Sequence, residues 1–97
     1  MSVKVKVQFF AAARELVGAG EETVELAEHS TVGALLDSLI KRHGKPLRDY
    51  LYDPKTGGPR PSIQFLIGDQ PVSGSRGMST ELSDGVVFAI IPPVGGG

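Results

Sequence analysis

Val86-Val87-Phe88-Ala89-Ile90-Ile91, running straight into Pro92-Pro93-Val94-Gly95-Gly96-Gly97, is the stretch on which the fold turns. An apolar run with no polar alternation is the pattern of a strand buried on both faces, so this strand belongs in the middle of a sheet. Proline fixes φ and lacks an N–H, so Pro92 and Pro93 stop the strand and aim the last residues outward in an extended course. The glycines then remove every side-chain obstacle. Six extended residues at roughly 3.3 Å each project about 20 Å, enough to thread into another protein's active site. The expected reactive atom is the chain's own terminus. Composition alone is equally compatible with a mobile end or a cloning remnant.

Outward from this strand, the other elements emerge from periodicity. Val3, Val5, Val7 and Phe9 alternate with Lys4, Lys6 and Gln8, the period of two that marks a half-buried strand. Ala11 to Val17 is a good helix former cut short by Gly18-Ala19-Gly20, and Glu22 to Leu26 reads as a second strand, giving a hairpin-like entry to the sheet. Ser30 or Thr31 can cap a helix in which Val32, Leu35, Leu36, Leu39 and Ile40 form one apolar face. Gly44 and Pro46 end it near His43, and Lys41, Arg42 and His43 suit the negative end of its dipole. Leu47 to Tyr52 is expected to make one more turn, with a loop from Asp53 to Pro61 after it. Ile63 to Ile67 reads as a strand, Gly68-Asp69 as a reverse turn, and Pro71 confines the next short strand to an edge. Gly74 to Asp84 is polar and irregular. The order strand, strand, helix, strand, short strand, strand predicts an α+β domain: a sheet with one main helix laid across one face.

The chain has 97 residues and 40% hydrophobic content, which suffices for one core and one domain. Its net charge of −1, with basic and acidic residues interleaved, leaves no electrostatic footprint for nucleic acid. Without cysteine there is no disulfide framework, no thiolate zinc site and no thiol nucleophile. The opening residues lack the continuous apolar stretch of a signal peptide or membrane span, so a soluble, cytoplasmic protein with no membrane partner is expected. His29 and His43 lie apart with no acidic arrangement of ligand spacing, so no metal site is expected. Arg14 and Glu15 read as a surface ion pair, and Lys41, Arg42, Lys45 and Arg48 as a solvated helix end. Phe10, Phe65 and Phe88 are assigned to the core, with an apolar sheet patch for partner docking as the alternative. No phosphate loop, nucleophile elbow or paired-acid constellation is present, so the chain is not expected to catalyse a reaction alone.

Three segments resemble the ubiquitin-like sulfur carriers, the family of the molybdopterin synthase small subunit (MoaD) and, more distantly, the thiamin sulfur carrier ThiS. They are Val5-Lys6-Val7-Gln8-Phe9-Phe10-Ala11 through Ala13-Arg14-Glu15-Leu16-Val17-Gly18, then Thr31-Val32-Gly33-Ala34-Leu35-Leu36, then Leu82-Ser83-Asp84-Gly85 through Phe88 to Gly97. The third is the specific one. Two departures stand out: Val86-Val87 replaces an acidic pair usual after Asp84-Gly85, and Gly95 occupies the variable position before the last two glycines. The resemblance implies a β-grasp, ubiquitin-like fold over residues 1–91, with a mixed sheet of about five strands, and a flexible, protruding Gly-Gly tail over 92–97.

The same resemblance implies a chemistry. A free α-carboxylate, with a pKa of roughly 3.3 to 3.7, is anionic at neutral pH and a poor electrophile. The family implies an ATP-dependent, ubiquitin-activating-like adenylating enzyme that converts Gly97 to a transient acyl-adenylate, and sulfur attack then yields a thiocarboxylate. Gly97 is the attachment residue, while Pro92, Pro93, Val94, Gly95 and Gly96 insert into partner active sites; no cofactor is permanently bound. In the molybdopterin branch the partner is the large synthase subunit, in a heterotetramer of two small and two large subunits. The alternatives are a modifier joined through Gly97 to target lysines, a carrier for thiamin or tRNA thiolation, and a β-grasp binding module with an inert tail.

Overall fold

The computed structural model describes residues 2–60, 62–72 and 77–92. Strand β1 (Ser2–Phe9) buries Val3, Val5, Val7 and Phe9 and leaves Ser2, Lys4 and Lys6 exposed, as its alternation predicts. Helix α1 (Ala11–Val17) stops at Gly18, whose φ of +83° lies where a side chain is disfavoured. Strand β2 (Glu21–Ala27) returns antiparallel to β1. Helix α2 (Val32–His43) buries Val32, Leu35, Leu36 and Leu39, while Ile40 is only half-buried.

Pro46 does more than end α2. It sits in the first turn of α3 (Lys45–Leu51), where its missing N–H costs no hydrogen bond and its φ suits the helix. The single turn anticipated at Leu47–Tyr52 is therefore a separate helix anchored by buried Leu47 and Leu51. The loop after α3 is pinned rather than merely polar. Asp53 N–H donates to the Gly58 carbonyl at 2.8 Å, and the Arg60 guanidinium forks onto the Asp49 carbonyl at 3.1 and 2.9 Å.

Strands β3 (Gln64–Ile67) and β4 (Gln70–Val72) form a hairpin, and β5 (Val87–Ile91) completes a sheet of order β2-β1-β5-β3-β4. The last strand is central and parallel to β1, and β4, with Pro71, is an edge. Asp84 and Gly85 set the β5 register. The Asp84 carboxylate accepts the Lys4 N–H at 2.8 Å, and the Gly85 N–H donates to the Lys4 carbonyl at 2.8 Å. One core cluster joins Ala13 of α1, the buried face of α2 and Leu47 and Leu51 of α3 to Val5, Val7, Phe9, Phe65, Phe88 and Ile90. Helices α1, α2 and α3 therefore cover the same face of the sheet, with α2 the longest of them.

Candidate functional site

The route to the tail is set by β5. Its parallel register with β1 ends at the pair Phe9/Ile90; beyond it β1 gives way to Phe10, the residue before α1, and β5 runs on through Ile91 to the half-buried Pro92. Among the described residues, Phe10 and Leu16 are the large hydrophobic residues left exposed, at 41% and 43%. Phe10 thus leaves apolar surface just past the last β1–β5 pair. Pro93, Val94, Gly95, Gly96 and Gly97 lie outside the described residues.

Strand alternation sorts β5 into two faces. Phe88 and Ile90 point into the core, and Phe88 stacks on Phe65 with ring centroids 5.5 Å apart. Neither phenylalanine is available for docking; of the three considered, only Phe10 is. Val87, Ala89 and Ile91 point to the opposite face, and the pairs Ala89/Leu66 and Leu66/Pro71 carry that apolar strip across β3 to β4. Burial on both faces therefore holds for Phe88, Ala89 and Ile90, while Val87 and Ile91 stay half-buried on the open face. The continuous run hides this: α1, α2 and α3 lie on one side of the sheet, so alternate residues of β5 face the other. The β1–β2 half of this face is polar. Lys6 approaches Glu21 at 3.7 Å, and the Ser2 hydroxyl donates to Glu25 at 2.7 Å.

The remaining expected residues have structural partners. Arg14 and Glu15 form no ion pair among the described residues, because neighbours in sequence diverge around a helix. The Arg14 guanidinium lies instead along Gly20, where an added Cβ would stand 3.5 Å from Nε. His43 Nε2 meets the Glu22 carboxylate at 3.1 Å, and Arg42 joins the same carboxylate at 3.2 Å, tying the end of α2 to β2. His29 faces Glu81 at 3.0 Å. No group of three or more potential metal ligands occurs among the described residues. Lys41, Arg42, Lys45 and Arg48 are exposed, as a solvated helix end requires, and Lys41, Lys45 and Arg48 also line, with Asp37, Asp49 and Tyr52, a cleft of about 830 Å³ on the helical side. Among the described residues no helix is long and apolar enough to cross a membrane.

A five-stranded mixed sheet with a parallel β1–β5 pair at its centre and helices on one face defines a β-grasp, ubiquitin-like protein. The chain belongs to the ThiS family, whose profile matches residues 7–97. It is 30% identical over 95 residues to small archaeal modifier protein 3 of Haloferax volcanii, covering 98% of this chain and all of that one. It is 31% identical over 96 residues to the molybdopterin synthase sulfur carrier subunit of Chlamydomonas reinhardtii, again covering 98% of this chain and all of the relative. The solution structure of small archaeal modifier protein 1 from Methanosarcina acetivorans superposes with a TM-score of 0.80 at 29% identity, covering 100% of this chain and 99% of that one.

Proposed function

We propose that this chain is a sulfur carrier that acts through Gly97 as the small subunit of a molybdopterin synthase. The observation that carries the reading is the extent of the family match, which runs through β5 and Pro92 to Gly97. An adenylating enzyme of the ubiquitin-activating type transfers AMP from ATP to the Gly97 carboxylate, releasing pyrophosphate. A sulfur nucleophile then displaces AMP at the carbonyl carbon and leaves the thiocarboxylate. Gly96 and Gly97 present no β-carbon to a narrow channel, so backbone can approach from either side. Pro92, Pro93, Val94 and Gly95 supply the reach.

Adenylate and thiocarboxylate are the transient groups, and no resident cofactor is required. The large synthase subunit takes the loaded tail and passes the sulfur to a pterin precursor, in an assembly of two small and two large subunits. The carrier itself supplies no catalytic group. Phe10 and the Val87, Ile91 and Leu66 strip give such partners exposed and half-buried apolar surface on the folded body.

A second reading is favoured by the 30% identity to small archaeal modifier protein 3: capture of the activated Gly97 by a lysine amine of a target protein. Fragmenting the C-terminal peptide of protein isolated from its source cells separates the two. A mass gain localised to Gly97 as a thiocarboxylate, and not to an oxidised Met78, is expected for the carrier. An isopeptide-linked Gly97 points to the modifier, and a uniformly free carboxylate overturns both readings.

A further inference from the structure

The two edges of the sheet are built unequally. Strand β4 is three residues long, and Pro71 at its centre lacks the N–H a further strand would need. Strand β2 has seven residues, Glu21-Glu22-Thr23-Val24-Glu25-Leu26-Ala27, with no proline, glycine or lysine among them. Among the described residues it pairs only with β1. Edges of this length are ordinarily blunted by proline, charged side chains, a bulge or a covering segment, because their free backbone groups template another strand; the charges β2 carries are all acidic, so they repel an acidic or identical strand but not a basic one.

The direction of those groups can be read from the ladder. The Phe9 N–H donates to the Gly20 carbonyl at 2.9 Å, which makes Phe9/Gly20 a hydrogen-bonded pair one step beyond Gln8/Glu21. Hydrogen-bonded pairs alternate in an antiparallel ladder, so Glu22, Val24 and Leu26 bond to β1, while Glu21, Thr23 and Glu25 turn N–H and C=O to the free side. No hydrogen bond reaches the backbone of Glu21, Thr23 or Glu25 from another described element.

Charge decides what this edge accepts. Two copies pairing through β2 would set glutamates against glutamates, which is destabilising. An incoming strand with cations at alternate positions would place them beside Glu21 and Glu25, which share the open face with Lys4 and Lys6. Their present partners do not satisfy them. The Lys6–Glu21 contact at 3.7 Å is about half-exposed at both ends, and among the described residues Glu25 receives only the Ser2 hydroxyl and no ion pair from Lys4 opposite it. We infer that β2 is a strand-addition site for an extended, lysine- or arginine-bearing segment of a partner protein, and not for a second copy of this chain. The added strand would stand three inter-strand spacings from β5, roughly 14 Å at about 4.8 Å each, so it leaves the tail's exit open. The inference does not depend on sulfur chemistry.

An end-blocked hexapeptide of alternating lysine and valine, titrated into isotopically labelled protein, tests the site by NMR. Shifts should concentrate on residues 21–27, with new exchange protection of the Glu21, Thr23 and Glu25 amides. A matching glutamate–valine peptide should not bind. Binding should weaken several-fold as salt rises from low to physiological, and in a variant combining Glu21→Gln with Glu25→Gln. Thr23→Pro removes one outward N–H without touching the β1 ladder and should abolish binding. Shifts that map elsewhere, equal binding of the acidic peptide, or full binding by a folded Thr23→Pro protein would each overturn the inference. If the proline variant does not fold, the wild-type protection pattern and the glutamine variant decide the matter.

Discussion

Tyr52 comes directly after α3, packs on the core and lines the helical cleft. Burial, and secondarily the negative charge of Asp37, raise its phenol pKa above the ordinary value of 10.0. Burial alone raises that of Tyr50. A raised native pKa means that the folded state holds the proton more tightly than the unfolded chain. The associated stability is complete below the ordinary value and is lost as pH rises through the raised native one. We therefore expect wild-type stability to fall above pH 10.0 more steeply than that of Tyr52→Phe. Urea unfolding of the two proteins on either side of that pH checks it, and the difference cancels the shared titration of the lysines. This feature is not legible in the sequence. There Tyr52 marks only the end of a turn, whereas its environment arises from Asp37, on a different helix.

At the scale of elements, the start of α2 shows local and long-range signals combining. Thr31 is the N-cap, and its hydroxyl accepts the Ala34 N–H at 3.3 Å. The preceding two helical donors are taken by a distant strap: Val32 N–H by the Thr80 carbonyl at 2.9 Å and Gly33 N–H by the Met78 carbonyl at 3.0 Å. Gly33 fits because a Cβ there would stand 3.3 Å from the Met78 carbonyl oxygen. Thr31→Ala orphans one donor and leaves the strap in place, so it should cost about 1 kcal/mol, read as a lower urea midpoint with an unchanged slope. The cap and the leucine face of α2 are legible because they depend on neighbours three and four residues away. The strap is not, because Gly74 to Asp84 has no period, and its value lies in carbonyls delivered to a helix some fifty residues earlier in the chain. Pro46 reads from the sequence as the end of α2 but not as the opening of α3, since the same fixed φ serves both. The outer strip of β5 is hidden for a different reason: apolar continuity reports burial, but not how many sides are covered.

At the scale of the whole molecule, body and tail are expected to be separable. The described core ends at Ile90, and it already includes buried side chains from α1, α2 and α3. The sheet topology is readable because the apolar run and Pro71 assign a centre and an edge without reference to contacts. The tail's proposed role is read from residue chemistry and family likeness together, whereas the apolar strip on the open face of β5 needs the β3–β5 register. Deleting Gly96 and Gly97 tests this division. The shortened chain still ends in a glycine carboxylate, at Gly95, so the chemical group to be activated is retained. Its loss is one of reach, about 7 Å at roughly 3.3 to 3.6 Å per residue. The melting temperature should match that of the full chain, because no described core contact is removed. ATP–pyrophosphate exchange with the adenylating enzyme should nevertheless disappear, because the carboxylate stops short of the α-phosphate. Exchange that persists would show that any exposed glycine terminus suffices. A lowered melting temperature would show that the last residues belong to the folded body after all.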